Sequence, residues 1–215
     1  MLKAIIFDMD GVLIDSSEVN WNAHNKLLGH HGVHLGDDEI KLCLGRSLRD
    51  SINNWNEKYG LSLDLNSHTE ASFAIQLKTF EKMNADSGLV AFLKNLKLNN
   101  VEMGVGTSSQ KFRAEKILQL LKLKEYFSVL VTANDVHKHK PHPDVYLKTA
   151  ELLKVEPKYC VVFEDAVDGI ISAKSAGMKV VGIITKYHSE EELHEADLVI
   201  KNFSEVNLTK LKKLF

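Results

Sequence analysis

The chain alternates short apolar runs with longer amphipathic segments from about residue 88 to its end. Unbroken apolar runs bounded by turn residues are typical of buried strands, and apolar positions spaced by three and four are typical of helices. This alternation predicts an α/β fold: a doubly wound, Rossmann-like parallel sheet with helices on both faces. The predicted strands are Ala4–Phe7, Val101–Gly106, Phe127–Thr132, Cys160–Phe163, Lys179–Ile184 and Leu198–Ile200. The predicted helices of this region are Gly88–Leu98, Lys111–Leu121, Val145–Leu153, Asp168–Ser175, Glu190–Ala196 and Ser204–Leu214.

Helical patterns without a convincing strand fill the stretch between the first strand and residue 83. The predicted helices are Ser16–His31, Arg46–Tyr59 and Ser67–Met83, with Leu42–Leu44 ending at Gly45. We therefore expect a core domain of residues 1–15 and 85–215 with an all-helical cap domain, residues 16–84, inserted after the first strand. Trp21, Trp55, Phe73 and Phe80 are expected to form the core of that cap. An insert at this edge of a sheet is well placed to act as a lid.

Composition narrows the class of protein. The 215 residues are 44% hydrophobic and carry a formal net charge of −2, so nothing suggests binding to nucleic acid. No apolar run approaches the roughly 20 residues that cross a bilayer, and the first strand lacks the form of a signal peptide. Two cysteines, Cys43 and Cys160, do not suggest disulfides or a cysteine zinc site. We expect a cytoplasmic monomer that binds neither nucleic acid nor membrane.

Polar residues follow several of the predicted strands at the point where each strand ends. Asp8 and Asp10 lie one residue apart after the first strand, so they share a face where the chain stays extended. The carboxyl ends of parallel strands meet at one edge, where open α/β sheets bind their ligands. This edge is expected to gather Asp8, Asp10, Thr107, Lys140, Glu164 and Asp165.

Four carboxylates at one edge require a cation, and oxygen ligands suit Mg²⁺, which fills its remaining positions with water and phosphate. Phosphoryl transfer uses all of these parts. Asp8 is the candidate nucleophile, Lys140 the positive charge on the phosphoryl group, and Thr107 a hydroxyl for a phosphoryl oxygen. Asp10 would protonate the leaving oxygen and later activate water, a role that requires surrounding anions to favour its proton.

Simpler interpretations of each motif remain open. Asp8 and Asp10 alone are as typical of an acidic turn, and Glu164 and Asp165 of a helix N-terminus. The histidines at 30, 31 and 34 and at 137, 139 and 142 suggest zinc, but without the helical spacing and acidic partner of a recognised site. A phospho-receiver or metabolite-sensor module would also use an acidic cluster with a lysine, although receivers are about half this length.

Four motifs in order resemble those of the haloacid dehalogenase-like hydrolases, in the subgroup of β-phosphoglucomutase and small-metabolite phosphatases. Asp8-Met-Asp10-Gly-Val resembles the first motif, Thr107 the second, Lys140-Pro-His-Pro-Asp144 the third and Glu164-Asp165 the fourth. The resemblance implies magnesium held by Asp8, the backbone carbonyl of Asp10, Glu164 and Asp165. We also expect Ser108, Asn20 and Arg46 to contact the substrate.

Two departures from the mutase favour a phosphatase. Asn20 stands where the mutase has a catalytic histidine, and Leu48 in Gly45-Arg46-Ser47-Leu48-Arg49 stands where it has a phosphate-binding arginine. We therefore expect a Mg²⁺-dependent phosphatase that hydrolyses a small phosphorylated metabolite, preferably a sugar phosphate, through an aspartyl-phosphate. A phosphosugar mutase is the alternative.

Overall fold

A computed structural model describes residues 1–43 and 46–215 and contains a six-stranded parallel sheet in the order β3-β2-β1-β4-β5-β6. β1 lies at the centre, paired with β2 and β4, so the chain crosses from one half of the sheet to the other after β3. The strands are β1 Ala4–Phe7, β2 Glu102–Gly106, β3 Val129–Val131, β4 Cys160–Glu164, β5 Lys179–Ile183 and β6 Leu198–Ile200. Both the doubly wound fold and all six predicted strands are confirmed.

Helices cover both faces of the sheet, and each face has its own apolar cluster. One cluster holds the aromatic stack of Phe7 on Phe163, with ring centroids 5.1 Å apart, and the other lies beneath the helices Asp144–Leu153 and Val167–Ser175. The helices that follow the cap segment are α5 Ser87–Leu98, α6 Lys111–Leu120, α7 Asp144–Leu153, α8 Val167–Ser175 and α9 Leu208–Lys212. Single 3₁₀ turns lie at Gly29–His31, Lys124–Tyr126, Ala133–Asp135, Pro157–Tyr159 and Phe203–Glu205.

Four helices lie between β1 and α5, where the sequence predicts three and a short segment that ends at Gly45. They are α1 Ser17–Leu28, α2 Asp37–Cys43, α3 Leu48–Tyr59 and α4 Leu65–Phe80. Side-chain caps begin two of them, because Ser47 accepts from Asp50 N and Asp64 accepts from Ser67 N. The domain division at residues 15/16 and 84/85 stays a prediction, and Leu44 and Gly45 of the predicted cap motif lie outside the described residues.

The aromatic residues expected to form the cap core divide between two clusters. Trp21 and Trp55 pack in a cluster of α1, α2 and α3, as predicted, and Tyr187 from the loop after β5 inserts into it. Phe80 instead belongs to the cluster on the sheet, and Phe73 packs against that cluster. The expectation is wrong for these two residues because the C-terminal part of α4 lies over α6, where Phe73 contacts Phe112 edge to face.

Two predicted helices do not form as expected. Residues 190–196 form turns and not a helix. Leu193 is the one buried side chain in this segment, and its four glutamates would repel one another in a helix. Residues 204–214 divide into a 3₁₀ turn and the short α9, because Asn202 and Asn207 each accept a backbone N–H and cap a separate turn.

Candidate active site

The carboxyl edge of the sheet opens into a cavity of about 120 Å³ that lies between the sheet and helices α1, α3 and α4. Asp8 and Asp10 both line it, so the two acids face one space as their spacing predicted. Of the other predicted site residues, Thr107, Ser108, Asn20, Arg46 and Asp165 also line it, whereas Lys140 and Glu164 lie behind Asp8.

Gly11 shapes the turn that follows β1. Its φ of +78° is a left-handed conformation that glycine adopts without strain, and a Cβ built there would lie 2.0 Å from Asp165 Oδ2. Gly169, in the first turn of α8, is required for space alone, since its Cβ would lie 1.8 Å from Glu164 Oε1. These two glycines allow the carboxylates at the end of β4 to lie against the backbone of neighbouring elements.

Asp8 lies in a buried ionic cluster. Lys140 Nζ donates to Asp8 Oδ1 at 2.6 Å and to Glu164 Oε1 at 2.5 Å, and Tyr146 OH donates to Glu164 Oε1 at 2.7 Å. Burial raises the pKa of Asp8 to about 7, with the negative charges of Glu164 and Asp10 adding to the rise and Lys140 opposing it. The same causes raise the pKa of Asp165, and the two carboxylates hold the pKa of Lys140 above its usual range.

A divalent cation fits this cluster. Oxygens of Asp8, Glu164 and Asp165 lie within 4.8 Å of one another, and this is the only such group of potential metal ligands in residues 1–43 and 46–215. Three buried carboxylates with one lysine leave uncompensated negative charge, which a hard cation with oxygen ligands would neutralise. The histidine groups considered for zinc form no such cluster within the described chain.

Glu164 is already bound by several donors. Its Oε1 accepts from Lys140 and Tyr146, and its Oε2 accepts from the backbone N–H groups of Asp165 and Ala166. Glu164 therefore fixes Lys140 and the start of the loop before α8, which leaves Asp8 and Asp165 with the more accessible carboxylates at this edge.

Asp10 lies in a second, different network. Arg113 holds its carboxylate with two hydrogen bonds, from Nη1 to Oδ2 at 2.8 Å and from Nη2 to Oδ1 at 2.7 Å. Ser109 donates to Oδ2 at 2.8 Å, and Ser16 and Asn20 donate to Oδ1. Burial alone would raise the pKa of Asp10, but Arg113 and the two hydroxyl donors hold it below its usual range. The expectation that anions favour a proton on Asp10 is therefore wrong in this conformation.

The remaining predicted residues have the following positions. Thr107 is buried at the end of β2, where its Oγ1 accepts the N–H of Ser109 at 3.1 Å. Asn20 donates to Asp10 and accepts from Arg113 Nη2 at 3.0 Å, so it supports Asp10. Arg46 Nε pairs with Asp168 of α8 at 2.6 Å, which links the helical insert to the other half of the sheet.

Arg113 and Tyr146 are the site residues that sequence reasoning missed. Both are buried, yet each lies on an amphipathic helix in a pattern that is equally typical of an exposed arginine or a core tyrosine. The sequence signal for Arg113 is its spacing from the polar strand end. It lies four residues, or about one helical turn, after Ser109.

The chain matches a known protein family over most of its length. The sequence profile described as haloacid dehalogenase-like hydrolase matches residues 5–183, which include both acidic pairs, Thr107 and Lys140. The chain belongs to the haloacid dehalogenase-like hydrolases. The predicted family is thereby confirmed, as is the assignment of the chain as a hydrolase, and the phospho-receiver alternative is excluded.

Individual relatives span almost the whole chain. A validoxylamine A 7′-phosphate phosphatase from Streptomyces hygroscopicus subsp. limoneus is 35% identical over 96% of each chain. A fructose-1-phosphate phosphatase from Escherichia coli (strain K12) is 35% identical, covering 83% of this chain and 95% of the relative. A crystal structure of β-phosphoglucomutase from Clostridium difficile superimposes with a TM-score of 0.89 at 26% identity, covering 100% of this chain and 97% of the mutase.

No helix within the described residues is both long enough and apolar enough to span a membrane.

Proposed function

We propose that this hydrolase is a Mg²⁺-dependent phosphatase that removes phosphate from a small phosphorylated metabolite, preferably a sugar phosphate, through an aspartyl-phosphate on Asp8. The observation that carries the proposal is the position of Asp8: at the end of the central strand, facing the cavity, 2.6 Å from Lys140 and beside Asp165. The names of the relatives at 35% identity, a validoxylamine A 7′-phosphate phosphatase and a fructose-1-phosphate phosphatase, support the same class of reaction.

Asp8 would attack phosphorus, so that a bond forms between its carboxylate oxygen and phosphorus as the bond to the leaving oxygen breaks. Lys140 would neutralise charge on the transferred group, and Thr107 lies at the neighbouring strand end to bind a phosphoryl oxygen. Asp8 and Asp165, with the backbone carbonyl of Asp10 and with Glu164 behind them, would hold Mg²⁺. A bound Mg²⁺ supplies the positive charge that lets an anionic nucleophile approach an anionic phosphate.

Asp10 would transfer the proton in each half of the reaction. It lines the cavity and is held there by Arg113, Ser109 and Ser16. In the geometry described, Arg113 favours its ionised form, which suits the later half-reaction, in which Asp10 takes a proton from the water that hydrolyses the phosphoenzyme. Protonation of the leaving oxygen requires this contact to loosen when substrate binds.

The mutase alternative has weaker support from the site. Asn20 stands at the position of the mutase histidine and is hydrogen-bonded to Asp10 and Arg113. Its amide does not titrate, so it cannot act as an acid or base as a histidine can. Arg46, two residues before Leu48, is paired with Asp168. The cytoplasmic location and the monomeric state stay predictions from the sequence.

A screen of phosphorylated metabolites with product analysis tests the proposal. Purified protein is incubated with hexose, pentose and triose phosphates with and without Mg²⁺, and inorganic phosphate and isomerised products are measured separately. We expect phosphate release that requires Mg²⁺. Isomerisation without phosphate release would support the mutase, and turnover unaffected by removal of divalent metal would contradict the magnesium site.

Replacement of Asp165 separates the metal from the rest of the site. Because Asp165 is one of three buried acids that repel one another, Asp165→Asn should raise the melting temperature of the metal-free protein. It should also remove the further rise that Mg²⁺ gives the parent protein, since a ligand that binds only the folded state stabilises it. A variant that still responds to Mg²⁺ like the parent would exclude Asp165 as a ligand.

A further inference from the structure

Buried polar side chains form a stripe along α4 where it faces the cavity. Thr69, Ser72 and Gln76 are spaced i, i+3 and i+7, so they lie on one face of the helix. They are only 5%, 2% and 3% exposed, and all three line the cavity. A buried helix face that packs against a core is usually apolar. This face is polar and uncharged because it borders the cavity and does not pack into a core.

The facing helix, α1, carries a second stripe with the same spacing. Ser17, Asn20 and His24 also lie at i, i+3 and i+7, and all line the cavity. His24 Nδ1 lies 3.1 Å from His68 Nε2, and burial with the neighbouring charges lowers the pKa of His24 to about 3, so the ring is neutral at ordinary pH. The two stripes therefore present hydrogen-bonding groups without net charge.

Gln76 has a donor left over. Its Oε1 accepts from Arg113 Nε at 3.2 Å, which fixes the orientation of the amide, since an arginine can only donate. Its Nε2 donates to nothing within residues 1–43 and 46–215. Ser72 and Thr69 supply acceptors where Gln76 supplies a donor. Their hydroxyls donate to backbone carbonyls of α4, so the lone pairs of the hydroxyl oxygens can accept from a ligand. Donor and acceptors lie within two turns of one helix.

The buried cations at this edge, Arg113 and Lys140, are already paired. All five N–H donors of Arg113 have acceptors: Gln76 for Nε, Asp10 and Ser109 for Nη1, and Asp10 and Asn20 for Nη2. Arg46 is paired with Asp168, and Lys140 lies between Asp8 and Glu164. At Arg113 and Lys140, a second phosphate or a carboxylate on the leaving group would have to displace one of these partners.

We propose that the α1 and α4 stripes form a subsite for an uncharged, polyhydroxylated leaving group, with Gln76, oriented by Arg113, as a donor that determines specificity. The proposal rests on the proposed phosphatase function and adds the class of leaving group. The subsite favours monophosphates of neutral polyols over sugar bisphosphates and phosphorylated carboxylic acids, because both stripes offer hydrogen bonds to hydroxyls and carry no charge of their own.

The test compares substrates that differ only beyond the phosphate. Phosphate release is measured with a hexose monophosphate, a hexose bisphosphate, 2-phosphoglycolate and n-butyl phosphate, an alkyl phosphate whose leaving group has no further hydroxyls. We expect the hexose monophosphate to have the highest kcat/KM. In Gln76→Leu, kcat/KM for the hexose monophosphate should fall by roughly three- to tenfold more than for n-butyl phosphate, the value of one lost hydrogen bond.

Thr69→Val supplies a second variant that leaves the Arg113 contact in place, and the same preferential loss is expected from it. Gln119→Leu, an exposed position on α6, is the matched control and should leave all four rates unchanged. Circular dichroism and thermal melting confirm that each variant is folded.

Equal losses on hexose and butyl phosphates in both cavity variants would overturn the proposal, as would a preference for the bisphosphate or for 2-phosphoglycolate. Turnover of n-butyl phosphate without turnover of the hexose monophosphate would overturn the subsite and leave the phosphatase intact. Failure to hydrolyse any phosphate monoester would instead overturn the proposed function.

Discussion

Asp8 and Asp10 are separated by one residue, yet they lie in networks of different construction. Within residues 1–43 and 46–215, the Asp8 side chain hydrogen-bonds to Lys140, which also binds Glu164, and lies close to Asp165, all groups of the sheet and its adjacent loops. Asp10 contacts Arg113 and Ser109 from the sheet side but also Ser16 and Asn20 at the start of the helical insert. The Asp8 network is therefore fixed by the sheet, whereas the Asp10 network depends on the position of α1 and α4.

The two networks also have opposite electrostatics. The pKa of Asp8 is raised because burial and the other acids exceed the effect of Lys140, and the pKa of Asp10 is lowered because Arg113 and its hydroxyl donors exceed the effect of burial. An excess of negative charge suits a metal and a phosphoryl group at Asp8. Asp10 is paired with Arg113 and bonded to the insert through Ser16 and Asn20. Such a carboxylate suits a proton-transfer group that responds to substrate binding.

Replacing the Asp8 carboxylate should have the largest effect. Asp8→Asn keeps the size of the side chain and removes the nucleophile, so kcat should fall by on the order of 10⁴-fold or more. The fold should persist, because Lys140 retains Glu164 as a partner. Phosphate release and thermal melting measure the two effects. Substantial residual turnover in a folded Asp8→Asn protein would remove Asp8 as the nucleophile.

Disrupting the Asp10 network should lower both activity and stability. Arg113→Met keeps most of the contact with Phe80 but removes five hydrogen bonds and leaves Asp10 without its cation. We expect a loss of about 1–3 kcal/mol in the free energy of unfolding, measured by urea denaturation, and a lower kcat. Glu115→Gln, an exposed change on the same helix, is the control. Unchanged stability in Arg113→Met would mean that Arg113 does not connect sheet and insert.

The helical insert should be the part that is sensitive to acid, through the buried His24 and His68 pair. Burial is the main cause that lowers both pKa values, that of His24 to about 3 from an ordinary value of 6.5. Between these pH values the unfolded chain binds more protons than the folded one, so stability is full above pH 6.5 and falls as the pH drops. The slope from His24 is at most about 1.4 kcal/mol per pH unit.

Urea midpoints measured at pH 7.5 and pH 5 check this effect, with His24→Gln as the comparison because glutamine does not titrate. The variant should lose less stability than the parent over this range. His142, which is exposed, provides the control substitution His142→Gln, whose pH dependence should match the parent. An identical decline in the parent and His24→Gln would assign the acid sensitivity elsewhere.

Much of the fold is readable in the sequence because its strands are buried on both faces. Such strands appear as continuous apolar runs, and all six were found from them, with the ends of β3 differing by one or two residues. The errors lie where few apolar contacts decide the conformation: residues 190–196, where one leucine is buried, and residues 204–214, where two asparagines cap separate turns.

By itself the sequence determined the sheet, the helical insert and the approach of Asp8, Asp10, Thr107, Lys140, Glu164 and Asp165 to one edge, because parallel strands bring their carboxyl ends together. Only the tertiary structure decided how those residues are paired. Arg113 and Gln76 acquire their roles from the packing of α6 against α4, a contact between positions 37 residues apart in the chain. Helical periodicity shows that each lies on a helix face, and packing alone determines what that face meets.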